Sequence, residues 1–428
     1  MNRIYTLLLY LFFPVLAVRL VMRGLKNPEY WKRWPERFGF VATNNAPYTV
    51  WVHAVSVGEV NAAAPLIKEI LLQFPDHRLL VTTMTPTGSR QVKSNFGDEV
   101  DHVYIPYDYP GAVKRFLRRI QPAVAVIMET EIWPNVLLQC KARHIPVLFA
   151  NVRLSRKSAR GYKRVRRFLI EPLQSVAAFA VQSQPDAERL RSLGAVSQSV
   201  HVTGSIKFEV SLPASLKEVA RRIRHEWGEN RSIVVAGSTH NGEEEIILDA
   251  YDRLKRKHPD LLLVLVPRHP ERFDSVTRMV KRSGYILARR SEMPGAIPSD
   301  LEIYIGDSMG ELRVFYAAAD LALVGGSFLP IGGHNVLEAC AVGVPVIFGP
   351  YMFNFTEIGQ ITIDRGAGSQ ARGAKDLADV IDGYLANADR RFHAGEAGMK
   401  MVEENRGALE HTMQLLKPFL EDATRKTP

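Results

Sequence analysis

Along the chain, short runs that are apolar on both faces alternate with longer stretches of helical period. The runs Thr49–Ala54, Arg78–Thr82, Val103–Ile105, Ala123–Met128, Pro146–Ala150 and Ala177–Val181 predict strands, most of them followed by a turn and a helix-like segment. Strands without a polar side belong to parallel sheets covered by helices. A second series starts at Ser232 and continues through Leu261–Val266, Ile303–Ile305, Leu321–Val324 and Val344–Phe348. Between the two series, residues 204–230 are charged and strand-poor, with a helix expected near Leu216–Trp227. The pattern predicts an α/β protein of two doubly wound, Rossmann-like domains. Such domains bind ligands outside the carboxyl ends of their strands, so a cleft between the two sheets is the expected place for a site. Repeats, heptads and low-complexity tracts are absent from the sequence.

The start of the chain breaks this rhythm. Ile4–Val18 is almost unbroken apolar sequence, interrupted by Pro14 and followed by Arg19, Arg23, Lys26, Lys32 and Arg33. It falls short of the roughly 20 residues that cross a bilayer comfortably. A cleaved signal peptide would carry its charge before the apolar run. Residues 1–24 therefore read as an uncleaved membrane-anchor helix, spanning or embedded, with the downstream basic residues keeping the rest on the cytoplasmic side; a buried first helix of the core is the alternative. The domain plan is an anchor at 1–24, a Rossmann-like domain at 25–207, a linker at 208–230, a second Rossmann-like domain at 231–395, and C-terminal helices at 396–428 that pack back toward the first domain.

Length and composition fit this plan. A chain of 428 residues, 46% hydrophobic and 23% charged, is globular and long enough for two cores. Its formal net charge of +10 favours anionic partners. Cys140 and Cys340 lie far apart in apolar runs, so the sequence encodes neither a disulfide framework nor a cysteine zinc site.

Several stretches carry candidate chemistry. Ser56-Val57-Gly58-Glu59 follows the first strand where a helix should begin. It is either a capping box, or a carboxylate held deprotonated by the helix N-terminus and available as a general base. Asn335 and Glu338 repeat that spacing, and Gly332 and Gly333 before them allow close backbone approach, which suits a phosphate cradle. His334 either donates to that phosphate or is a satisfied loop histidine. Ser238 and Thr239 end the first strand of the second domain and could donate into a cleft, while Glu243, Glu244 and Glu245 read as a solvated first helical turn. Arg268, with His269 beside it, is either a phosphate contact or an unliganded surface arginine. Glu129, Glu131 and Trp133 follow a buried strand, as substrate contacts or as a plain loop. Arg153 to Arg167 holds eight basic residues and no acid, a patch suited to phosphates or an anionic membrane surface.

An Asp-x-Asp motif, a His/Cys cluster of metal spacing, a GxGxxG fingerprint and a Walker A loop are all missing, so the sequence calls for no metal and no cofactor and argues against a dehydrogenase or a P-loop ATPase.

Taken in order, HAVSVGEVNAA (53–63), TTMTPTGS (82–89), METEIWPN (128–135), NVRLSRKS (151–158), TGSIKF (203–208), AGSTHNGEE (236–244), VPRHPERF (266–273) and GGSFLPIGGHNVLEACAVGVPVIFGP (325–350) resemble the Kdo transferases, the 3-deoxy-D-manno-octulosonic acid transferases of lipopolysaccharide assembly. The resemblance implies a GT-B glycosyltransferase that moves Kdo, with inversion and without a metal, from CMP-Kdo to lipid IVA at the cytoplasmic face of the inner membrane; nucleic acid is no partner. It implies Glu59 as the base, with Ser56, Gly58, Glu129, Glu131, Trp133, Arg153 and Arg156 on the acceptor side. Lys207, Ser238, Thr239, Arg268, His269, Gly332, Gly333, His334 and Asn335 would meet the donor, and Glu338 its ribose. Rival readings are another GT-B enzyme acting on a UDP-sugar, as a transferase or epimerase, and a membrane-tethered protein that binds anionic lipid.

Overall fold

The computed structural model describes residues 2–26, 28–42, 49–210, 212–293 and 295–426. It forms two units, Met1–Glu209 with Asn405–Pro428, and Val210–Glu404.

The first unit holds β1 (Val50–His53), β2 (Leu79–Thr83), β3 (Asp101–Tyr104), β4 (Val124–Met128), β5 (Val147–Val152), β6 (Ala178–Val181) and β7 (Val200–Val202), all parallel in the order β3-β2-β1-β4-β5-β6-β7. Side chains alternate across the sheet, so it carries two apolar cores. Trp51, Leu80, Ile127 and Phe149 pack on one face, and Val52, Val81, Val126 and Leu148 on the other. The second face is completed by Met413, Leu416 and Leu420 from the C-terminal helix Ala408–Lys426. That helix is fixed at its start by Glu209, which accepts the Leu409 N–H at 3.1 Å.

The second unit repeats the scheme with β8 (Ile233–Thr239), β9 (Leu262–Pro267), β10 (Leu287–Arg289), β11 (Ile303–Ile305), β12 (Leu321–Val324), β13 (Val346–Phe348) and β14 (Gly368–Gln370), parallel in the order β10-β11-β9-β8-β12-β13-β14. The helix expected near Leu216–Trp227 forms over those residues, and its Trp227 is buried against Tyr304 and Phe315. Three strands escape the hydrophobic pattern: β7, β10 and β14. All three lie at sheet edges, are three residues long and keep partly solvated positions, so none shows a continuous apolar run.

The N-terminus corrects the expectation of a single anchor helix. Two helices form, Asn2–Leu11 and Phe13–Lys26, with the break at Phe12 and Pro14 in the first turn of the second, where its missing N–H costs nothing. Among the described residues no helix is long and apolar enough to cross a membrane. One face of the pair belongs to the first unit: Tyr5 donates to Asp108 at 2.9 Å, Tyr109 donates to the Leu9 carbonyl at 3.1 Å, and Leu20 is buried with Tyr107 and Ala112. The other face exposes Leu7, Leu11, Phe12, Val18, Met22 and Leu25. The side chains of Arg19, Arg23 and Lys26 lie outside the described residues.

Candidate functional site

In the first sheet the strand order reverses between β1 and β4, and at such a switch point the loops leaving the two carboxyl ends diverge and leave room for a ligand. Glu59 follows β1; Glu129, Glu131 and Trp133 follow β4. Ser56 is the N-cap of the helix Val57–Gln73, yet its side chain accepts no capping bond. Glu59 instead reaches past it to accept the Val55 N–H at 2.8 Å, and the Ser56 hydroxyl lies 3.5 Å from the second carboxylate oxygen. Neither bond of the expected capping box forms; Glu59 takes the N–H one residue before the cap instead. Gly58 is exposed on the first turn.

Burial pushes the Glu59 carboxyl up to about 8. The Val55 N–H pulls it down, Glu131 and Glu129 add to the rise, and Lys207 opposes it. This corrects the expectation that the helix N-terminus keeps Glu59 ionised: at a buried site, loss of hydration outweighs the partial charge of the helix end. A carboxyl near neutrality is matched to taking a proton.

The neighbours are tightly held. Trp133 donates its indole N–H to Glu131 at 2.9 Å and stands edge-to-face to His53 with ring centres 5.7 Å apart. Burial raises Glu131 and drives His53 down to about 3, so His53 is neutral. Lys207, expected beside the leaving phosphate, pairs with Glu129 at 2.8 Å, within the first unit. Its backbone turn is set by Asn151, whose side-chain oxygen accepts the Ser205 hydroxyl at 3.2 Å and the Ile206 N–H at 3.1 Å. Glu129 and Asn151, at the ends of adjacent strands, both adopt left-handed backbone (φ 53° and 58°), conformations that persist where the surroundings enforce them. The Arg153 carbonyl accepts the Thr130 hydroxyl, and Arg156 opens the basic helix Arg156–Arg164, which packs on the core through Ala159 and Tyr162 and exposes its basic side chains.

The second sheet reverses between β8 and β12, and the remaining candidates gather there. Ser238 has left-handed backbone, φ 56°. Thr239 is not free to donate outward: it is fully buried and donates to Glu244 at 2.7 Å. Glu243 and Glu244 are equally buried, against the expectation of a solvated turn; only Glu245 faces water. Arg272 grips Glu244 at 2.7 and 3.1 Å.

Gly332 and Gly333 take φ of 121° and 77°, which glycine allows, but they spend both N–H groups on the Gly326 carbonyl, at 3.1 and 2.6 Å. They therefore shape the loop and do not themselves cradle an anion. The amides of His334, Asn335 and Val336, next in line, make no hydrogen bond among the described residues. Asn335 accepts the Leu337 N–H at 3.0 Å, the helix that follows is only Leu337–Cys340, and Glu338 does not reach back but pairs with Arg313 at 3.0 Å. The expected second capping box is thus replaced by an Asx turn and an ion pair.

His334 is tied to His240, with imidazole planes within 8° of each other and Nε2 atoms 2.8 Å apart, an edge-to-edge hydrogen bond. Burial, His240, Arg268 and His269 together hold His334 down at about 3. Arg268 and His269 are exposed, and the Arg268 guanidinium has no ion-pair partner among the described residues. Sequence reasoning missed His240 and Arg313 as parts of this site. The only signal for His240 was its place just past the first strand of the domain.

The family model of 3-deoxy-D-manno-octulosonic-acid transferase (kdotransferase) matches residues 32–210. The 3-deoxy-D-manno-octulosonic acid transferase of Haemophilus influenzae is 39% identical over 97% of this chain and 98% of its own. A solved C-terminal CMP-Kdo binding domain of WaaA from Acinetobacter baumannii is 36% identical, covering 47% of this chain and 98% of its own, with a TM-score of 0.37. MurG from Acinetobacter baumannii, 13% identical, covers 87% of this chain and 100% of its own with a TM-score of 0.55; at that identity the likeness is one of fold, and the two parallel α/β units are GT-B-like.

Proposed function

This chain belongs to the 3-deoxy-D-manno-octulosonic acid transferase family, and from that premise we propose that it is an inverting glycosyltransferase that moves Kdo from CMP-Kdo to lipid IVA in lipopolysaccharide assembly. The observation that carries the mechanism is the buried Glu59 carboxyl at the switch point of the first sheet, with a proton affinity near neutrality. Glu59 takes the proton of the attacking acceptor hydroxyl. The oxygen then bonds to the anomeric carbon as the carbon–oxygen bond to the phosphate breaks, and that electron pair departs with CMP. Attack opposite the leaving group inverts the centre and needs one base.

On the donor side, the amides after Gly333, the Arg268 guanidinium and His334 are the groups suited to the charge that gathers on the departing phosphate. Their value grows as the bond breaks, which is what lowers a barrier. Glu338, steadied by Arg313, meets the ribose hydroxyls. Lys207 belongs to the acceptor side, where it tempers the Glu59 carboxyl through its pair with Glu129. Ser56, Gly58, Glu131 and Trp133 line the approach to Glu59.

The protein lies on the cytoplasmic face of the inner membrane, embedded in one leaflet through its N-terminal helices. What supports this is the set of exposed apolar side chains on the two helices, among them Leu7 (68% exposed), Leu11 (72%), Phe12 (60%) and Leu25 (75%). The Tyr5 ring lies 6.5 Å from that of Phe168, which brings Arg166 and Arg167, the end of the basic stretch, near the first of these helices, where they can meet anionic headgroups. Calorimetric titration of CMP into the wild type and Arg268→Ala tests the donor half: loss of the guanidinium weakens binding, and an unchanged affinity would remove Arg268 from the site.

A further inference from the structure

After β12, three consecutive backbone N–H groups converge on one side chain: Gly326, Ser327 and Phe328 donate to Glu243 at 2.7, 3.0 and 2.9 Å. The same carboxylate accepts the His240 N–H at 2.9 Å and is fully buried. From here two routes run to His334. Along one, the Gly326 carbonyl accepts the N–H groups of Gly332 and Gly333. Along the other, the His240 ring hydrogen-bonds to the His334 ring through their Nε2 atoms, 2.8 Å apart. A run of backbone N–H groups at a strand's carboxyl end is commonly an anion site; here the anion is part of the chain.

We infer that Glu243 is the positioning residue of the donor loop, the internal anion around which residues 326–334 are wound so that His334 and the amides after it are presented to the donor phosphate. The inference rests on the reading of residues 332–338 as the donor site. Four charge-assisted hydrogen bonds to a dry carboxylate hold the loop strongly, and removing an acceptor leaves buried N–H groups unpaired. Each oxygen serves two of them, Oε1 those of Ser327 and Phe328 and Oε2 those of His240 and Gly326. Glutamine at 243 has the same size but can satisfy only one pair; its NH2 group opposes the other.

The test uses the full-length protein with CMP as the probe. Glu243→Gln raises the Kd for CMP about tenfold or more, the loss of at least one such bond. In turnover it raises the KM for CMP-Kdo and leaves the KM for the acceptor and the pH profile in place, whereas a merely structural role would lower the active fraction and leave both KM values alone. Glu244→Gln is the comparison: equally buried but holding Arg272 and Thr239, it lowers Tm and leaves CMP affinity within about twofold. If Glu243→Gln does not fold, Glu243→Asp, which shortens the reach but keeps the charge, is read in the same way. CMP affinity unchanged in the Glu243 variant, or weakened equally in both glutamine variants, overturns the inference. Arg268→Ala separates the two levels: if it too leaves CMP binding intact, the donor-site reading fails; if it weakens CMP while the Glu243 variant does not, only the role of Glu243 fails.

Discussion

Glu59 folds back over the turn before its own helix to take the backbone N–H of Val55, four residues upstream, at 2.8 Å. That bond favours the charged form, but burial dominates and the carboxyl sits near 8. A carboxyl raised from 4.5 in this way gives stability that is fully present below about 4.5 and lost as pH rises through about 8, because ionising it costs the folded state. Glu59→Gln is therefore expected to abolish transfer while keeping CMP affinity, and to gain a few degrees of Tm over the wild type at pH 9 but not at pH 4. Thermal scans across pH, run beside a transfer assay, check both halves; retained turnover would return Glu59 to a capping role.

The neighbours of Glu59 set where activity rises with pH. Glu131 and Glu129 add to the rise of its carboxyl and Lys207 opposes it. Lys207→Met should move the acid limb of the rate profile to higher pH, and Glu131→Gln to lower pH, with the rate at pH 7 changing severalfold in opposite directions. Identical profiles in both variants would show that neither residue faces the base.

Which parts of this were legible in the sequence follows from how local each signal is. The buried strands were, because an apolar run such as Val124–Met128 carries its burial in its own residues. Edge strand β7, reading Val-His-Val, was not. The role of Glu243 was hidden for a different reason: acids after Gly242 look like a first helical turn, and what holds Glu243 is the loop at 326–328, more than eighty residues on. Likewise, nothing local in Gly332-Gly333 reveals that both N–H groups end on Gly326. The spacing shared by Ser56…Glu59 and Asn335…Glu338 misled. The structural counterpart of Glu59 is Glu243, which also follows the first strand of its sheet and reaches back to a backbone N–H, that of His240.

Glu338 and Arg313 form an ion pair at 3.0 Å with both side chains partly exposed, so the pair adds little stability. Its expected value lies in binding. Glu338→Ala should weaken CMP about tenfold or more by removing charge-assisted bonds to the ribose, and Arg313→Met should weaken it less. Calorimetry with CMP, cytidine and the free base separates the contributions: a loss seen with CMP and cytidine but not with the base places Glu338 on the ribose, and no loss in any of them removes the assignment.

At the N-terminus, replacing Leu7, Leu11 and Phe12 together by serine should leave the fold intact, since these side chains are exposed, while lowering cosedimentation with anionic phospholipid vesicles. Tyr5→Phe tests the opposite face. It removes the donor to Asp108, a carboxyl that burial pushes up to about 7, and should loosen the helix without changing its apolar surface. Equal vesicle binding by the triple variant would mean that the exposed face is not a membrane surface.

The most direct measurement is a product mass. Purified full-length protein is incubated with CMP-Kdo and lipid IVA, in parallel with Glu59→Gln, and the lipid is analysed by mass spectrometry. The wild type should yield lipid IVA carrying Kdo, with CMP released, and the variant none. Unmodified lipid IVA from the wild type, or equal product from both, would contradict the account.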